Sequence, residues 1–207
     1  MRALPLLLAL TLAACTAEEV EITLSAADVA RAAQGAPVTV AFEAELGEDN
    51  VTFDDDKRAM IDGLVRAVET HFPGAAVDLR IGPDDYRITV EGTLPLAPAA
   101  PAAAAPWFLQ VSPAALDGAL RVELATTPGF AAFDAALRDL NAIMGPDAFQ
   151  PVTFRLSGPG ARVIAAGAWV DGRPVTAEVI ALTDRPIRLL YEDGIWEDTG
   201  AGFLILP

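Results

Sequence analysis

The sequence predicts an α+β protein, an antiparallel sheet or sheets with helices on one face, built from two candidate β-α-β-β repeats. Three observations carry that expectation. Apolar residues alternate with polar ones in short segments along the chain, helical stripes separate some of these segments, and the two halves share one order of elements. With 53% hydrophobic and 21% charged residues in 207 positions, the chain can bury a core and is too apolar for disorder.

The elements follow in order. Val20 to Leu24 is a short extended segment. Ser25 and Asp28 then fit a capping box, and Gly35 a helix stop, so a helix is expected near 26–34. Val38, Val40, Phe42, Ala44 and Leu46 alternate with polar or small residues, as a half-buried strand does. Over 54–72, Ile61, Leu64, Val65, Val68 and Phe72 fall on one helical stripe, closed by Pro73-Gly74. Two strands follow, Val77 to Ile81 and Tyr86 to Leu94, joined by the turn Gly82-Pro83-Asp84-Asp85.

Residues 97–106 are rich in Ala and Pro, a linker or long loop between an N-terminal half at 15–96 and a C-terminal half at 107–207. Leu120, Val122 and Leu124 alternate again. Thr127-Pro128 reads as a cap and first helical position, followed by the stripe Phe133, Leu137, Leu140 and Met144. Val152 to Leu156 is a strand, 162–170 and 174–182 a hairpin across Asp171-Gly172, and 187–206 two more short strands. The duplication rests on aligning 77–92 with 152–167, where Arg80, Gly82-Pro83, Arg87 and Gly92 meet Arg155, Gly158-Pro159, Arg162 and Gly167.

At the N-terminus, Arg2, the apolar stretch Leu4 to Leu12, and then Ala13 and Ala14 have the order of a secretory signal. Leu12-Ala13-Ala14-Cys15 resembles the lipobox of bacterial lipoproteins. The resemblance implies removal of residues 1–14, a diacylglyceryl thioether on Cys15 and an acylated new amino terminus, hence a membrane as partner. Thr16, not Asp, follows the Cys. The resemblance therefore implies the periplasmic face of the outer membrane, with the periplasmic face of the inner membrane as the alternative.

Charge and composition exclude other classes. Against 29 acidic residues stand 14 basic ones, a formal charge of -15, which argues against nucleic acid as a partner. One Cys and one His give no internal disulfide framework and no footing for a His/Cys zinc site. G-x-S-x-G, P-loop and dinucleotide fingerprints are absent from the sequence. No cofactor is expected.

The remaining candidates are carboxylates and one indole. Asp54, Asp55 and Asp56, behind Glu48, Asp49 and Asn50, have the oxygen ligands a hard cation takes, but not the spacing of a calcium loop; capping of the next helix is the preferred reading. Asp198-Thr199-Gly200-Ala201 resembles the aspartic-protease signature, yet Trp196-Glu197 precede it where that family has two apolar residues, so it is read as a turn. Trp196 with Glu192 and Glu197 around it has the composition of a partner contact. Arg80, Arg87, Arg121, Arg155 and Arg162 are expected on polar strand faces, paired with Asp78, Glu91 and Glu123. Trp107 and Trp169 sit at core-like positions. The expected function is a membrane-anchored, non-catalytic cell-envelope lipoprotein, an interaction or structural module on the periplasmic side that engages an envelope protein. The alternatives are a lipid-tethered carboxylate-dependent hydrolase and a periplasmic module for a small ligand or glycan.

Overall fold

A computed structural model describes residues 17–102, 105–141, 151–192 and 201–207. Its elements are β1 (Ala17–Ser25), α1 (Ala26–Ala33), β2 (Val38–Asp49), α2 (Asp55–His71), β3 (Ala76–Ile81), β4 (Asp85–Ala97), β5 (Trp107–Pro113), β6 (Leu120–Thr126), α3 (Phe130–Leu140), β7 (Val152–Ser157), β8 (Arg162–Val170), β9 (Arg173–Ala181), β10 (Ile187–Tyr191) and β11 (Gly202–Leu206).

Most of these begin where local chemistry says they should. At α1 the Ser25 hydroxyl accepts from the Asp28 amide at 3.2 Å, and the Asp28 carboxylate accepts from the Ser25 amide at 2.9 Å. Burial pushes the Asp28 carboxyl up, but bonds from Ser25 and Arg31 outweigh it and hold Asp28 below the usual carboxylate range. At α2 the Asp54 side chain accepts from the Lys57 amide at 2.8 Å. The expected cap of α3 is different. That helix starts two residues later, behind Gly129, and the hydroxyl of Thr127, 6% exposed, donates to the Ala105 carbonyl at 2.9 Å and accepts from the Gly129 amide at 3.0 Å. Strand β5 escaped the sequence reading because Phe108 and Leu109 are both buried, which breaks the alternation.

The expected α+β class is overturned. The described residues form a closed β-barrel of nine strands and are about 50% strand and 21% helix, with β3 and β9 attached outside the ring. Around it the order runs β10-β7-β1-β2-β4-β5-β6-β11-β8, and β8 meets β10 again. Its helices are not a layer over one face of an open sheet. Helix α1 touches β1, β2, β4, β5 and β6, five successive staves, a contact that a helix can make only across the mouth or interior of a barrel. Helices α2 and α3 pack on each other, with Leu140 occupying the space where a Cβ on Gly63 would lie.

The candidate duplication does not survive as pairing. Strands β3 and β4 form a hairpin, whereas β7 pairs with β1 and β10, and β8 with β9, β10 and β11. Strands from before and after 97–106 share one sheet through the parallel pairs β1–β7 and β4–β5.

Closure depends on β8. Strand β9 takes one edge of β8 along its whole length; the other edge receives β11 at Arg162–Ile164 and β10 at Trp169–Val170. Both β10 and β11 run antiparallel to β8.

The barrel interior is a packed core. Ile22, Phe154, Leu156, Leu189 and Ile205 are fully buried, and Phe154 makes edge contacts with Tyr191 and Phe203. A second group of rings, Phe42, Phe72, Trp107 and Phe133, joins α2 and α3 to the barrel. Gly92, directly opposite Phe42, leaves room for its ring: a Cβ there would stand 2.7 Å from it.

Candidate functional site

One cleft of the described surface lies against β7, the β8–β9 hairpin and β10, and β8 shapes it. Buried side chains fall at Val163 and Ala165 in the first part of β8 but at Ala168 and Val170 in the second. Gly167, at φ +60°, stands at the change. A residue with a Cβ pays a steric penalty in that region, so glycine lets the strand turn over where its edge partner changes from β11 to β10. Trp169, lying between buried Ala168 and Val170, consequently faces outward and is half-buried.

The hairpin tip is then tied down. Asp171 and Gly172, at φ +47° and +80°, make the two-residue turn expected of Asp-Gly. The Asp171 amide donates to the Arg188 carbonyl at 2.9 Å, and the Arg188 amide donates to Asp171 Oδ1 at 2.9 Å. Beyond β9, the Thr183 hydroxyl accepts from the Arg185 amide at 3.2 Å and lies 3.2 Å from its carbonyl, a turn that Pro186 stiffens. Between hairpin, turn and β10 opens a cleft of about 1300 Å³, whose walls include Thr153, Trp169, Arg185, Arg188, Leu190 and Glu192.

The charges around it are unequal in their commitments. Arg155 and Arg188 stand directly opposite each other on β7 and β10, and Glu21 reaches both, at 3.2 and 3.6 Å. Such exposed pairs stabilise little, but here Glu21 offsets the repulsion of two facing cations. Arg185 is exposed and has no carboxylate within bridging distance among the described residues.

Of the candidates read from the sequence, Glu192 is exposed and lines the cleft. Cys15, Trp196, Glu197 and the Asp198-Thr199-Gly200 segment lie outside the described residues. Asp54, Asp55 and Asp56 are exposed at the start of α2, and no group of three potential metal ligands comes together among the described residues. Arg80 pairs with Asp78 and Arg121 with Glu123, each along its own strand, while Arg87 reaches across to Glu45 and Asp49. His71 ends α2 against the Phe133 ring.

Trp169 is a cleft residue that the sequence alone placed in the core. Strict alternation from Val163 puts it on the buried face; Gly167 inside a strand was the signal that the alternation would break. Comparison with known proteins adds no relationship: no protein family and no curated sequence matches the chain.

Proposed function

We propose that this chain is a non-catalytic, lipid-anchored protein of the cell envelope that works as a binding module on the periplasmic side. The anchor is Cys15, on the strength of its lipobox, and Thr16 after it favours the outer membrane. The observation that carries the module reading is the cleft, where a half-buried indole and an uncommitted guanidinium face a volume of about 1300 Å³. Ligand sites combine an apolar wall with a few placed polar groups in this way.

A photo-crosslinking side chain at Ala181, an exposed cleft position, should capture an envelope component in living cells, and one at exposed Ala59 on α2 should not. Capture should fall in Cys15→Ser, which lacks the anchor. Equal capture from both positions would remove the cleft as the contact, and undiminished capture by Cys15→Ser would remove the need for anchoring.

A further inference from the structure

We infer that the cleft between the β8–β9 hairpin and β10 takes a carboxylate-bearing glycan, its acid group on Arg185 and a sugar ring against Trp169. This rests on the binding-module reading and adds the chemistry of what is bound.

Acids outnumber bases 29 to 14 in this chain, and nearby guanidiniums have found them: Arg155 and Arg188 share Glu21, and Arg173 holds Glu178 at 2.7 Å. Arg185 has none among the described residues, although Asp184 is its neighbour in sequence. Its backbone is held by Thr183 and Pro186, so the side chain projects from a fixed turn. A guanidinium fork presented in this way suits a carboxylate, which it can bind through two parallel N–H···O bonds.

The rest of the wall suits a sugar. Trp169 and Leu190, directly opposed in the β8–β10 pairing, offer a flat apolar surface. Asp171 and Glu192 add carboxylate groups around it. A sugar has both an apolar C–H face and a rim of hydroxyl donors, and so meets both. A densely phosphorylated polymer would be repelled by Asp171 and Glu192, while a neutral sugar would leave Arg185 without an anion. The volume exceeds the roughly 300–1000 Å³ of ordinary small-ligand pockets, which favours several linked rings over one.

The test uses the mature lipidated protein in detergent and isothermal titration calorimetry. One probe is a peptide-free oligosaccharide of alternating N-acetylglucosamine and N-acetylmuramic acid; the other is a chito-oligosaccharide of equal length, which lacks the carboxylate. The acidic glycan should bind at least about tenfold more tightly, the factor expected of one charge-assisted pair. Arg185→Gln should remove that preference, Trp169→Phe should weaken both probes, and Arg66→Gln, at an exposed helix position, should change neither. Equal affinity for the two probes, or an unchanged preference in Arg185→Gln, overturns the carboxylate assignment. If neither glycan binds while the crosslinker at Ala181 still captures a component, the ligand class falls and the module reading stands; if both fail, both fall.

Discussion

Two buried hydroxyls in this protein have opposite standing, and substitution should separate them. Thr127 is 6% exposed and its hydroxyl donates to the Ala105 carbonyl while accepting from the Gly129 amide at 3.0 Å. Thr127→Val keeps the shape and strands both partners, at a cost of about 1–3 kcal/mol in a denaturant titration. Tyr191 is 2% exposed, and its hydroxyl has no hydrogen-bond partner among the described residues. Tyr191→Phe should therefore be neutral or stabilising by up to about 1 kcal/mol. A loss larger than that would mean the hydroxyl has a partner after all. Burial raises the Tyr191 phenol above its ordinary range, so the folded state favours the protonated form. That contribution is complete below the unfolded pKa near 10 and is lost as pH rises through it toward the folded value. Melting curves between pH 9 and about 11 should thus fall less steeply for Tyr191→Phe than for the parent.

Among the elements, the β8–β9 hairpin combines what sequence shows well and what it hides. Its strands and its Asp171-Gly172 turn were legible, because alternation and turn chemistry are local signals. The capped starts of α1 and α2 were legible for the same reason, each cap lying within three residues of its partner. The turning-over of β8 at Gly167 was not, since one glycine among Ala165, Ala166 and Ala168 resembles any small residue until its φ of +60° is known. The outward Trp169, and with it the candidate cleft, was lost at that step. Gly167→Ala should cost roughly 1–2 kcal/mol through the left-handed backbone alone, and Gly167→Asn, which tolerates that region better, should recover part of it. Because the bend also sets Trp169 and the Asp171–Arg188 tie, the alanine variant should lose crosslinking at Ala181 at temperatures where it is still folded. A variant as stable as the parent would show that β8 does not need its glycine.

At the scale of the whole molecule, the closure of the barrel was the illegible part, because it consists of pairings between residues far apart in sequence. Glu21 and Arg155 are 134 positions apart and 3.2 Å apart in space. Nothing in either strand's own alternation names the other as its neighbour, and an open sheet with helices satisfies the same local pattern. The Ala/Pro-rich stretch at 97–106, which reads from sequence as a linker or a long loop, joins two strands that pair in parallel, Leu96 with Leu109 and Ala97 with Gln110. The halves on either side depend on each other. Without the second half, β1 loses β7 and its buried Ile22 and Leu24 face solvent; without the first, β7 keeps β10 but Phe154 and Leu156 lose that wall. A few strands with one bare apolar face do not hold together in water. Expressed separately, residues 15–102 and 105–207 should each be unfolded or aggregated, whereas a chain cut by a protease site inserted after Pro101 should stay associated and melt in a single transition. Size exclusion and a thermal melt of the cut protein decide the matter, since two separable folded fragments would mean that the two parallel junctions do not hold the halves in one barrel.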